Sequence, residues 1–361
     1  MARRVAGPTI YDVALGAGVS ANTVSRALNG KSGVSKETRA RIRAVAHEMG
    51  YYPHLGARSL RVKREGLIGL TLPSPLDRVP LSEAFFLSVF STLYRLFGAR
   101  GERLCFDMHP YVDPREEDYG RSLWQGLYSA CIVAGPLASD DQTIHKIHAS
   151  GVPYVAFGRL DRLPEVSSAA VDYEAGAYLG TRRLLERGHT RVALLKALEG
   201  YQPGVERERG YRRALAEAGI NPDPALVHAV GFGARDVAHG VHSLLKEPGV
   251  TALLDTSGAE DGEGLREGAR RAGRTPGDDF EVVCWTYHSR GVVLEEAAAH
   301  LWLPAREAAS EGLEALADWY FGRREGPVRV IYPPTMMDTA ELLADGADTI
   351  DRPQRLFNPM L

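Results

Sequence analysis

The sequence predicts a small all-α helix-turn-helix head followed by a larger α/β core of two lobes built on parallel sheets. Three observations carry this. Thr9 to Gly30 reads TIYDVALGAGVSANTVSRALNG, two short amphipathic helices across a glycine turn. Residues 1–64 hold 12 Lys and Arg against 3 Asp and Glu, a balance of +9, whereas the rest holds 31 against 43, a balance of −12. From Glu65 onward, short apolar strands alternate with helices, the pattern of parallel sheets covered on both faces. A hydrophobic content of 44% over 361 residues supplies a sizeable core and suits two or three domains.

The first helix spans roughly Ile10 to Leu15. Thr9 is its N-cap and Asp12 sits three residues on, as a capping box requires. Ile10, Val13 and Ala14 share one face. Gly16 and Gly18 supply the turn, since glycine tolerates positive φ. Ser20 caps a second helix, Ala21 to Leu28, with Val24, Ala27 and Leu28 inward. Asn22, Ser25, Arg26 and Asn29 face outward. A third helix opens at Val34-Ser35 and runs through Met49 on Ile42, Val45, Ala46 and Met49. Gly50-Tyr51-Tyr52-Pro53 stops it.

The outward face of the second helix suits DNA. The major groove admits a helix, arginine pairs with guanine edges and asparagine with adenine edges. The same spacing also suits an ordinary helical hairpin with a solvated face. A basic head on an acidic body favours nucleic acid. Arginine-rich transit peptides lack such a helix pattern.

The run TIYDVALGAGVSANTVSRALNG, then GVSKETRARI, then MGYYP, then ARSLR at Ala57 to Arg61 resembles the LacI/GalR family of bacterial transcription regulators. The resemblance implies that the second helix enters the major groove. Ala21, Asn22 and Arg26 match base-reading positions. Thr9, Ser20, Thr23, Ser25, Asn29 and Thr38 match positions that bond phosphates, contacts that set register without reading sequence. Residues 53–64 match the family's hinge, which forms a helix on the operator. There Ala57 and Leu60 would meet the minor groove, and Leu60 would wedge between base steps and bend the duplex. His54 stands where asparagine is usual.

In the core, strands are expected near Leu67–Leu72, Leu104–Met108, Ala130–Val133, Pro153–Phe157, Arg191–Leu195, Val250–Leu254, Glu281–Cys284 and Val328–Tyr332. Helices are expected at Ala84–Phe97, Asp140–Ala149, Glu174–Glu186, Glu206–Ala218, Asp236–Lys246, Gly262–Ala272 and Leu301–Tyr320. The resemblance implies a periplasmic-binding-protein-like pair of lobes, approximately 65–172 with 302–332, and 173–301 with 333–340. The head would be 1–52 and the tail 341–361. In such folds ligands bind at the carboxyl ends of strands, between lobes.

The resemblance also implies an effector site. Phe85 and Phe86 match the aromatics that face the effector. Arg159 ends a matching strand. Arg207 stands in Glu206-Arg207-Glu208-Arg209-Gly210-Tyr211, which resembles a motif whose arginine bonds effector hydroxyls or carboxylates; its planar fork suits both. Ser257 and Trp285 occupy further matching positions. Here the chain departs from the family: Ser257-Gly258 replaces Asn-Asp, Thr286 replaces the sugar-gripping aspartate, and Tyr173 follows Asp172. The site therefore reads as poorer in acids and richer in aromatic surface. Trp285 suits either a sugar face or the core.

The expected partners are near-palindromic double-stranded operator DNA, a small-molecule effector of carbohydrate class and a second copy of the chain. The tail lacks sustained leucine heptads, so a dimer is expected rather than a coiled-coil tetramer. No cofactor or metal is expected. Cys105, Cys131 and Cys284 are not at ligand spacing, and a reducing cytoplasm suits so few cysteines. No apolar run reaches membrane-spanning length. The sequence shows no Gly-x-Ser-x-Gly elbow, phosphate loop or Rossmann glycine pattern, so an enzyme is not expected. A periplasmic sugar receptor shares the two-lobe form, but predicts an export signal and no basic head.

Overall fold

The computed structural model describes residues 9–28, 32–49, 51, 67–73, 83–107, 119–124, 127–197, 200–231, 233–258, 262–286 and 294–344. The chain divides into two compact units, Met1–Glu65 and Gly66–Leu361.

The first unit packs α1 (Ile10–Ala17), α2 (Ala21–Leu28) and α3 (Lys36–Glu48) around Val13, Ala14, Ala17, Val24, Ala27, Ile42, Ala46 and Tyr51. Each helix start is held by a side-chain cap. Asp12 N–H donates to Thr9 Oγ1 at 3.4 Å and Thr9 N–H to Asp12 Oδ2 at 2.6 Å, closing the box. The Thr9 hydroxyl also donates to Asp12 Oδ2 at 2.7 Å, and this bond, with that from Thr9 N–H, holds the Asp12 carboxyl below its usual range. Ser20 Oγ accepts from Thr23 N–H, and Ser35 Oγ from Thr38 N–H, each at 3.1 Å.

One expectation fails here. Gly16 is not a turn residue: α1 continues to Ala17, and Gly18, at φ 64°, makes the left-handed C-cap. Gly16 instead allows close packing, since a Cβ there would lie 2.6 Å from Met49 Cε.

The second unit carries two six-stranded sheets. The first has β1 (Leu67–Thr71), β2 (Arg103–Asp107), β3 (Ala130–Val133), β4 (Tyr154–Ala156), β5 (Ser168–Val171) and β11 (Arg329–Tyr332). Its order is β11-β5-β4-β3-β1-β2, all parallel. The second has β6 (Val192–Ala197), β7 (Val227–Val230), β8 (Ala252–Thr256), β9 (Glu281–Thr286), β10 (Ala299–Trp302) and β12 (Thr335–Asp338). Its order is β12-β10-β9-β8-β6-β7, with only β12 antiparallel.

Helices α4 (Glu83–Leu96), α5 (Arg121–Trp124), α6 (Gln142–Ala149) and α11 (Ala305–Tyr320) accompany the first sheet in the chain. Helices α7 (Tyr173–Glu186), α8 (Gln202–Glu217), α9 (Ala234–Lys246) and α10 (Glu263–Arg271) accompany the second, and α12 (Thr339–Ala344) follows β12. The chain crosses between the sheets after β5, after β10 and after β11. Leu301 does not begin a helix: it lies in β10, fully buried, and α11 starts only after Pro304. Helix α8 begins four residues before Glu206, with Pro203 in its first turn, where the missing N–H costs nothing.

Candidate functional site

In the head, Asn22 and Arg26 are exposed on α2, while Ala21, Thr23 and Ser25 are half-buried. Arg26 Nε and Nη2 donate to the Ser32 carbonyl at 3.2 and 2.6 Å. Arg39 Nη1 donates to the Ala27 carbonyl at 2.9 Å, tying α3 to the end of α2. Thr9, Ser20, Thr23 and Thr38 all take part in helix caps, so their hydroxyls lie at helix N-termini, where anions are favoured. Asn29, Ala57 and Leu60 lie outside the described residues, as does the whole hinge.

In the core, the strand ends of both sheets meet. Gln202 N–H donates to the Leu137 carbonyl and Ser139 N–H to the Gly200 carbonyl, each at 3.0 Å. Ala138 and Tyr201 form an antiparallel bridge between them. Arg159, just beyond β4, reaches across. Its Nε donates to Glu206 Oε1 at 3.0 Å, and its Nη2 to Asp172 Oδ1 at 3.1 Å and Glu206 Oε2 at 3.3 Å. A second span joins Arg209 to Asp161, with Glu174 2.5 Å from Arg209 Nε.

Glu206 is nearly fully buried on α8. Burial raises its pKa, and the Arg159 guanidinium only partly opposes that. Next to it, Arg207 is also buried. Its Cζ lies 4.5 Å from the Trp285 ring centre and 5.0 Å from that of Tyr173. Those two rings stack at 5.5 Å and 12°. A guanidinium over two aromatic faces is held by their quadrupoles, worth about 0.5–2 kcal/mol for each ring. Trp285 also belongs to the buried cluster that includes Val171, Leu301 and Leu303, so it serves the core as well as Arg207.

The structure thus brings Arg207 and Trp285 together, with Ser257 buried at the end of β8. Arg159 sits in the inter-sheet ion pair. Phe85 and Phe86 lie on the first turn of α4, and their side chains lie outside what is described. Sequence reasoning missed Asp255 and the pairing of Glu206 with Arg159. Asp255, two before Ser257, is a buried carboxylate that accepts from Ser257 N–H at 2.9 Å. Burial raises its pKa, opposed by that bond and by the Arg207 charge. Asp255 and Glu206 are two buried acids near Arg207. An acid closing the apolar run Ala252–Thr256 was the available signal for Asp255. Tyr173, singled out in the sequence as a departure from the family pattern, stands with Arg207 and Trp285. Among the described residues, no group of three or more His, Cys, Asp or Glu is placed to hold a metal ion, and no helix is long and apolar enough to cross a membrane.

Comparison with known proteins agrees with this architecture. Residues 9–54 match the model for bacterial regulatory proteins of the lacI family. Residues 102–281 match that for periplasmic binding proteins and the sugar binding domain of the LacI family. The chain is 30% identical over 265 residues to the HTH-type transcriptional regulator RafR of Escherichia coli, covering 73% of this chain and 76% of RafR. It is 29% identical over 333 residues to the HTH-type transcriptional regulator CelR of Thermobifida fusca, covering 91% of this chain and 97% of CelR. A solved CelR-cellobiose complex superposes with a TM-score of 0.64 at 28% identity, over 91% of this chain and 98% of that one. The chain belongs to the LacI family of bacterial regulatory proteins, transcription regulators that bind DNA through a helix-turn-helix head.

Proposed function

We propose that the chain is a cytoplasmic, homodimeric repressor, and not an enzyme. Its affinity for a near-palindromic operator is controlled by a carbohydrate held between the two sheets. The observation that carries this is the pairing of a capped three-helix head, whose α2 presents Asn22 and Arg26 to solvent, with a second unit that gathers Arg207, Tyr173 and Trp285 at strand ends. Stacked aromatic faces suit the apolar faces of a sugar ring, and an arginine fork suits its hydroxyls. That the related CelR was solved with cellobiose supports the same class.

In this reading residues 1–52 are the DNA-binding head and 53–64 the hinge. One lobe comprises approximately 65–172 and 302–332, the other 173–301 and 333–340, with 341–361 a tail. Ala21, Asn22 and Arg26 read bases. Thr9, Ser20, Thr23, Ser25, Asn29 and Thr38 meet phosphates, and Ala57 and Leu60 enter the minor groove. Arg207, Trp285, Ser257, Phe85 and Phe86 face the effector. Arg159, which also pairs with Glu206, faces it as well. The effector must prefer one arrangement of the lobes, since only a difference in affinity shifts their equilibrium.

An exposed apolar face supports dimerisation. Leu87, Phe90 and Tyr94 on α4, and Leu104 and Phe106 on the edge strand β2, are exposed. Phe90 and Phe106 meet edge to face at 6.3 Å. Such a patch marks an association surface in a folded protein.

The test is selection of bound duplexes from a random library with the full chain, repeated with a panel of sugars that includes cellobiose. A two-fold symmetric site whose binding changes with one sugar is expected. No duplex preference under any condition would refute the proposal.

A further inference from the structure

Gly33 lies in the loop between α2 and α3, at φ 87°, a left-handed conformation. It also lies against Arg26. A Cβ built on Gly33 would fall 2.6 Å from Arg26 Nη2 and 3.2 Å from its Cζ. A side chain at position 33 and the observed place of Arg26 therefore exclude one another. The conflict is with the tip of a long side chain, so the arginine would yield and the backbone would not.

What Arg26 gains from that space is the grip of the neighbouring carbonyl. Ser32 O receives both Nε–H and one Nη2–H. A guanidinium has five N–H donors in a planar fork. The grip uses one side edge, Nε–H with one Nη2–H, and leaves the end edge, formed by Nη1 and the second Nη2 hydrogen, outside those two bonds. That end edge has the spacing that meets O6 and N7 of guanine. An arginine held this way before binding has less rotamer freedom to lose on the DNA.

We infer that Gly33 is a positioning residue for base reading: its missing side chain lets the Ser32 carbonyl hold Arg26 with its guanine-reading edge outside the grip. The inference rests on the DNA-binding reading above. It adds a residue outside α2 to those that set operator specificity.

The test compares the full-length protein with Gly33→Asn, Arg26→Ala and the double variant, each taken through selection from random duplexes. Asparagine tolerates the left-handed region, so Gly33→Asn fills the space with little backbone strain. The unaltered protein should prefer guanine about tenfold or more at one position of each half-site. Gly33→Asn should lower that one preference severalfold and leave the other positions as they were. The double variant should match Arg26→Ala. A Gly33→Asn protein with the original preference, or with an equal loss at every position, would overturn the inference. A second measurement does not depend on the variant folding: in the DNA-free protein, the Arg26 Nε–H should show slow exchange and an ordered relaxation signature by NMR. A freely exchanging, disordered Nε–H would overturn the inference as well. Failure of the unaltered protein to select any duplex would instead refute the DNA-binding reading.

Discussion

Cutting Arg159 back to alanine tests how the two lobes are held together. Glu206 is 1% exposed, and its carboxylate takes Arg159 Nε at 3.0 Å and Nη2 at 3.3 Å, with Gln202 Nε2 more distant at 3.4 Å. Arg159→Ala leaves that carboxylate buried without its cation. Breaking a fully buried pair from one side costs about 3–5 kcal/mol. The Arg159 and Asp172 side chains are 23% and 31% exposed, so water reaches one flank of the cluster. The expected loss is therefore about 2–3 kcal/mol. At about 2 °C per kcal/mol for a large domain, Tm should fall by about 4–6 °C.

The pH dependence has a definite sign. Burial places the folded pKa of Glu206 above its unfolded value. Its contribution is then fully present below the unfolded pKa and is lost as pH rises through the folded one. Without Arg159 the folded value climbs further, so the damage is larger at about pH 7 than at about pH 5. Glu206→Gln removes the titration. Added to Arg159→Ala, it should recover most of the lost stability at neutral pH. Scanning calorimetry of the full chain across that range reads both effects. A double variant no more stable than Arg159→Ala, with a loss independent of pH, would refute the buried-charge reasoning.

Arg26→Ala should weaken operator binding by about 1–3 kcal/mol and relax preference at one base position, read by binding to an operator series; a uniform loss over all sequences would contradict base reading. Arg207→Ala should abolish the response of operator binding to the effective sugar while leaving binding without it intact, as fluorescence anisotropy would show. Phe90→Asp places a charge in the apolar face of α4 and β2, and should shift the sedimentation of the full chain toward monomer with the fold retained by circular dichroism. Unchanged sedimentation would refute association through this face.

Much of this architecture is legible in the chain because local signals and packing agree. Thr9 with Asp12, and Val13, Ala14, Val24 and Ala27 at helical spacing, mark the head from the sequence alone. The strands that escape notice are β5, β7, β10 and β12, and the reason is physical. Strand β5 reads Ser-Ala-Ala-Val because α11 lies very close to it: a Cβ on Gly312 would fall 2.4 Å from that of Ala169. Small residues make that approach possible and erase the apolar signal at once. Strand β10 merges in the sequence with the helix that follows, since nothing local separates Leu301 and Trp302 from it except Pro304. At the site, Arg207 is legible through its neighbours in sequence. The bond between Arg159 and Glu206 joins residues 47 positions apart, and no periodicity reports such a meeting. Gly16 misleads for a related cause, as it serves a contact with Met49 across the head rather than a turn.

The interleaving of the two sheets orders events during synthesis. The first sheet lacks β11 until Arg329–Tyr332 has been made, and the second lacks β12 until Thr335–Asp338. The helices of the head, by contrast, occupy one continuous stretch from Ile10 to Glu48. At about 5–20 residues per second, the nascent chain carries a complete head for many seconds before either lobe can close. The two-lobe core is the last part to be finished, so a chain truncated before β11 would leave the ribosome with a head and no complete lobe.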